Sequence, residues 1–105
     1  FALMNCPPFV RKTFDLVSDI TTNTIVSWSL TRDDSFVIWQ IEKFQTEVLP
    51  RYFKHSNLYS FFRQLNTYNF TRISAPESAT GIEFSHPMFQ KNGKTLAAIR
   101  RNGKE

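Results

Sequence analysis

Hydrophobic positions recur in this chain with two different periods, and the switches between them mark out its elements. From Leu58 to Tyr68, the apolar residues Leu58, Phe61, Phe62, Leu65 and Tyr68 fall on one arc at about 100° per residue, with Tyr59, Ser60, Arg63, Asn66 and Thr67 opposite. This spacing predicts an amphipathic helix over about 57–69, with Ser56 or Asn57 as its N-cap. Phe9, Thr13, Leu16 and Val17 recur likewise and predict a first helix from Pro8 to about Ser18, since proline in the first turn loses no intrahelical bond. Ile41, Phe44, Gln45, Val48 and Leu49 predict a second helix that Pro50 kinks or ends, with one further turn over Arg51, Tyr52 and Phe53.

Elsewhere the pattern shortens to β-branched and aromatic runs. Ile25–Trp28 and Phe36–Trp39 flank the polar stretch from Leu30 to Asp34 and predict an antiparallel pair. Phe70–Ile73 and Ile82–Ser85 predict a second pair, joined by a Pro-, Ser- and Gly-containing tip over residues 74–81, a wing. Lys94 to Arg101 reads as a brief amphipathic piece with Leu96 and Ile99 inward. The fold class expected from this order is α+β: a winged helix-turn-helix, with a three-helix bundle capped by a small four-stranded antiparallel sheet. Residues 7–101 form the expected domain, with flanks at 1–6 and 102–105.

The polar face of the helix at 57–69 is unusual. A solvated helix face carries Glu and Lys in i,i+4 pairs, whereas this one has no acid and Arg63 as its single full charge. Amides, hydroxyls and one guanidinium suit the edges of DNA bases. Charge distribution agrees: residues 1–47 hold four Lys/Arg and six Asp/Glu, a net −2, and residues 48–105 hold nine and three, a net +6. Arg51, Lys54, Arg63 and Arg72 follow one another between Val48 and Pro76 with no acid among them, a field suited to a polyanion.

Composition narrows the alternatives. A chain of 105 residues forms one domain, and its eleven Phe, three Tyr and two Trp supply the core. Trp28, Phe36, Trp39, Phe44, Phe53, Phe61 and Phe84 are expected inside rather than as a base-stacking platform, which duplex readers do not need. The single Cys6 cannot form an intrachain disulfide and fits a reduced compartment; Cys6, His55 and His86 follow no metal-ligand spacing. No metal, cofactor or catalytic residue is expected, because neither His lies in a nucleophile motif and no Gly-rich phosphate loop occurs. The first ten residues lack a signal-peptide pattern and no run reaches the roughly 20 apolar residues of a membrane span, so no membrane partner is expected. A first residue of Phe points to a piece of a longer chain.

Serial agreement then identifies a family. Pro7-Pro-Phe9, Lys12–Val17, Ile25–Ser29, Ser35–Trp39, Val48–His55 and Ser60–Tyr68 closely resemble, in order, the DNA-binding domain of heat-shock transcription factors. The resemblance implies a nuclear transcription factor that recognises inverted nGAAn repeats, the heat shock element, in double-stranded DNA. It also implies a homotrimer, assembled through a coiled coil that lies beyond this sequence. On its motif, Arg63 reaches guanine in the major groove, and Ser60 and Asn66 touch bases or backbone. Lys54, His55, Tyr68 and Arg72 match positions near phosphates; Asn57, Tyr59 and Thr67 share the DNA-facing stretch. Gln64 borders the core arc and reads equally well as a structural amide.

Three positions depart from the family pattern. Asn69 replaces a usual Gly, a swap that Asn tolerates because it enters positive φ more readily than most residues. Thr71 stands where a basic residue is common, and Tyr59 where the residue is normally small. These changes keep a second reading open, a winged helix that contacts a protein partner and binds DNA weakly or differently. Asn69-Phe-Thr71 is formally a glycosylation sequon, expected to stay unmodified in a nuclear protein.

Overall fold

The computed structural model describes residues 6–73 and 81–101. Its elements, in chain order, are α1 (Pro8–Ser18), β1 (Val26–Trp28), β2 (Ser35–Ile38), a composite helix α2, α3 (Leu58–Thr67), β3 (Thr71–Ile73) and β4 (Ile82–Ser85). Short 3-10 turns lie at Ile20–Thr22 and Leu96–Ala98. Residues 74–80, most of the expected wing tip, lie outside the described residues, as do 1–5 and 102–105 of the two expected flanks.

Helix α1 begins at Pro8 as its sequence predicts and buries Phe9, Val10, Thr13, Leu16 and Val17 on one side. The Thr13 hydroxyl, buried with them, donates to the Phe9 carbonyl at 2.8 Å, so no polar atom is stranded in that interface.

In helix α2 the chain continues past Pro50 rather than ending there, and the further turn expected beyond it forms as far as Tyr52: the helix passes from Ile41–Lys43 through a π segment, Phe44–Val48, into Leu49–Tyr52. The Leu49 N–H donates to the Phe44 carbonyl, five residues back rather than four. Proline in a regular helix lacks the N–H that its turn requires and strikes the carbonyl four residues earlier; a wider turn just before it relieves both conflicts. Helix and proline coexist because one residue is looped into the preceding turn.

The four strands form one antiparallel sheet in the order β1-β2-β4-β3. Register pairs Trp28 with Phe36, Phe36 with Phe84, and Phe84 with Arg72, which places these side chains on one face. That face meets helix α3, where Phe84 lies 5.3 Å from the ring of Phe62, and the segment after β4, where Phe36 lies 5.7 Å from Phe89. Phe9 gathers the helical side, touching Phe53, Phe61 and Tyr68 at centroid distances of 5.4 to 5.7 Å. Phe36, Phe44, Phe61 and Phe89 are fully buried, and truncating one such ring to Ala costs roughly 3–5 kcal/mol.

Two of the seven aromatics expected inside are only half-buried. Trp39 lies just past β2, and its indole N–H donates to Ser27 Oγ at 2.9 Å. Phe53 caps the end of the core and stacks outward against the His55 ring at 5.9 Å. The piece predicted from Lys94 to Arg101 shortens to the turn Leu96–Ala98, with Leu96 and Ile99 buried as expected.

Candidate nucleic-acid interface

Helix α3 owes its position to bonds at both ends. At its start, Asn57 is the N-cap: Oδ1 accepts the Ser60 N–H at 3.1 Å. Ahead of the cap, His55 Nδ1 accepts the Asn57 N–H at 3.0 Å, so the residue that caps the helix is itself held. Gln45, on the π segment of α2, accepts the Leu58 N–H through Oε1 at 3.2 Å. Three of the four N–H groups that a helix start leaves without an internal partner, those of Asn57, Leu58 and Ser60, are thereby satisfied, and α3 is tied to α2 across the turn.

At its end, Asn69 adopts φ +69°, the left-handed conformation. Its N–H donates to the Asn66 carbonyl at 3.0 Å and the Phe70 N–H to the Leu65 carbonyl at 2.9 Å, a Schellman closure with Leu65 and Phe70 buried together. The structure therefore uses Asn69 in the conformation its sequence position predicts.

Between these ends, the expected arcs separate largely as foreseen. Phe61, Leu65 and Tyr68 are buried, and Leu58 and Phe62 pack against the core. Tyr59, Arg63 and Asn66 are exposed on the other side, with Ser60 and Thr67 half-buried at its margin. Lys54, His55 and Asn57 lie exposed on the approach to the helix. Arg72, exposed on β3, shares its sheet face with Phe84 and so stands on the side of the sheet that carries α3.

Three of these residues behave differently from their expectation. Tyr68 is only 7% exposed, and its ring stacks on Phe9 at 5.4 Å with the planes 14° apart, which places it in the core rather than on the exposed face. Gln64 is exposed, which removes the structural-amide reading and adds an amide to the polar face. Thr67 spends its hydroxyl proton on the Arg63 carbonyl at 3.0 Å, so only its oxygen lone pairs stay available to a ligand.

Sequence reasoning missed two contributors. Gln45 was placed on the apolar period of α2, whereas its side chain, borne on the π segment, caps the start of α3. Lys12, from α1, holds its ammonium 5.7 Å from the Phe53 ring centroid, beside the segment that carries Lys54 and His55. A lysine three residues after Phe9, and so on the side of α1 that packs Phe9 against Phe53, is the signal that points to it.

Electrostatically the surface is left open. Among the described residues the one ion pair is Arg32–Asp34 at 3.1 Å, so no carboxylate of the described residues neutralises Lys54, Arg63 or Arg72. No group of His, Cys, Asp and Glu among them could hold a metal ion, and no helix is long and apolar enough to cross a membrane.

Known proteins match this arrangement. The family model for the HSF-type DNA-binding domain covers residues 9–102. Heat stress transcription factor A-2 of Arabidopsis thaliana is 60% identical over 67 residues, 64% of this chain and 19% of that protein. Heat stress transcription factor A-8 of the same plant is 46% identical over 96 residues, 90% of this chain and 25% of the relative. The chain thus spans about a fifth to a quarter of the length of these relatives. Among solved structures, Chaetomium thermophilum Skn7 with HSE DNA superposes with a TM-score of 0.83 at 43% identity, over 90% of this chain and all of that one. A heat shock transcription factor/DNA complex gives 0.67 at 39% identity, over 76% and 94% of the two chains. The fold is a winged helix-turn-helix, and the chain belongs to the HSF-type DNA-binding domain family.

Proposed function

We propose that this chain binds double-stranded DNA sequence-specifically for a transcription factor, with α3 in the major groove reading inverted nGAAn units. The observation that carries it is the outward face of α3, an acid-free array of Arg63, Asn66, Gln64 and Tyr59 flanked by exposed Lys54 and Arg72. That a similar chain, Chaetomium thermophilum Skn7, is solved with HSE DNA supports the reading.

In this reading Arg63 donates two bonds to O6 and N7 of guanine, a pairing worth roughly 1–3 kcal/mol of discrimination. Asn66 and Ser60 contribute polar contacts beside it. Lys54, His55 and Arg72 hold the phosphates and so fix register rather than sequence. Tyr68 acts from beneath, supporting the helix through Phe9. The family is one of DNA-binding domains rather than enzymes. The complete protein, a longer chain, works in the nucleus as a homotrimer, and linkage of three domains raises the weak affinity of each for one unit.

The test is binding of the 105-residue chain to duplexes carrying inverted GAA units and to scrambled duplexes. Selective binding that Arg63→Ala abolishes supports the reading. Equal affinity for both duplexes overturns it.

A further inference from the structure

Tyr59 shares the outward face of α3, and the guanine-reading scheme gives it no contact of its own. It is 84% exposed, the most exposed large hydrophobic residue among those described, and it has no ring partner among them. Singly exposed apolar residues are ordinary on protein surfaces, but this one stands on the face of α3 that meets DNA, where its ring offers a large apolar contact with a polar tip. Its place on the helix says what the ring meets there. Tyr59 stands one turn before Arg63, so on a regular helix the two differ by about 40° in direction and about 6 Å along the axis. It lies in the N-terminal half of α3, the part of a recognition helix that approaches base edges.

From this placement, and resting on the proposed duplex-DNA reading, we infer that Tyr59 is a specificity-determining residue. Its ring packs on the C5-methyl of a thymine within about two base pairs of the guanine that Arg63 reads. The chemistry favours this partner because thymine methyl is the one apolar group that a base pair displays in the major groove. The phenol has only two rotatable side-chain bonds, so ordering it against a methyl costs little. Thymine methyls also stand on the two A·T pairs of the GAA unit; the one that Tyr59 covers lies in the flank beyond the guanine, a base pair read through apolar contact rather than hydrogen bonding.

The experiment varies the base pairs flanking a fixed inverted GAA duplex and compares the native chain with Tyr59→Phe, Tyr59→Ala and Arg63→Ala. Because Tyr59 is so exposed, none of its substitutions threatens the fold, and thermal melting checks this. The expected result is a thymine preference at one flanking position that Tyr59→Phe keeps and Tyr59→Ala loses, with selectivity for GAA intact in both. Replacing that thymine by uracil removes one methyl and weakens the native chain about fourfold, leaving Tyr59→Ala unchanged. Three outcomes overturn the inference: a flanking profile unaltered by Tyr59→Ala, a preference lost in Tyr59→Phe, which assigns the hydroxyl to a phosphate, or uniformly tighter binding by Tyr59→Ala, which makes the ring an obstruction. Failure of the duplex reading itself is distinct, since the native chain and Arg63→Ala then bind GAA and scrambled duplexes alike.

Discussion

Gln45 Oε1 accepts the backbone N–H of Leu58 at 3.2 Å, so a side chain of α2 closes the first turn of α3. Removing it leaves a donor unmatched at the helix start. Gln45→Ala is expected to cost about 1 kcal/mol, which for a domain of this size lowers the melting temperature by about 4–8 °C. Affinity for every duplex should fall alike, because the loss loosens the helix without touching a base. Calorimetric melting together with binding to matched and scrambled duplexes checks both parts; a loss confined to GAA duplexes would contradict the capping role.

Asn69 holds φ +69° at the Schellman closure of α3. A β-carbon in that conformation costs roughly 1–2 kcal/mol, which Asn partly offsets and Gly avoids altogether. Asn69→Gly should therefore stabilise the domain by a few tenths to about 1 kcal/mol, and Asn69→Ala should destabilise it by about 1 kcal/mol. Urea unfolding of the two variants decides the order, and a more stable Ala variant would remove the conformational account.

Arg63 and Arg72 should fail in different ways. Arg72→Ala is expected to weaken all duplexes similarly and to lower the slope of log affinity against log salt by about one, as for a phosphate contact. Arg63→Ala should instead erase the distinction between GAA and scrambled duplexes. Titrations at four or five salt concentrations separate these behaviours, and an unchanged slope for Arg72→Ala would take Arg72 out of the phosphate-contacting set.

His86 supplies a pH dependence. Burial holds its pKa below the ordinary 6.5, and its Nδ1 accepts the Met88 N–H at 3.0 Å, a bond only the unprotonated nitrogen can make. With the folded value depressed, this stabilisation is complete above the unfolded pKa near 6.5 and is lost as pH falls through the folded value. The urea midpoint should drop on going from pH 7.5 to 5.5, and His86→Gln should flatten that change. An equally steep drop in the variant would assign it to another group.

Helix α3 was the most legible part of the chain, because apolar side chains at Leu58, Phe61, Phe62 and Leu65 leave one arc free and a period alone identifies it. The strands and the order of elements followed from local residue types in the same way. What local patterns could not supply were the consequences of distant packing. The π segment before Pro50 is a compromise between a proline and a helix that the core requires on both sides of it. Tyr68 belonged to two expectations, core arc and phosphate neighbour, and only the arrival of Phe9 from α1 places its ring inside. Glu83, an acid within a strand, is 1% exposed and accepts a hydrogen bond from Ser35, a burial that no local pattern signals. Gln64 went the other way, since a residue at the border of an arc is assigned by the exact roll of the helix against its neighbours.

The scarcity of ion pairs has an experimental consequence. A scaffold held by aromatic packing and backbone bonding, with Arg32–Asp34 its one carboxylate–guanidinium contact among the described residues, has little for dissolved ions to weaken. Ionic strength can then be swept widely while the domain keeps its shape. Any response to salt belongs to the encounter with a charged ligand, which makes the electrolyte a selective dial on recognition.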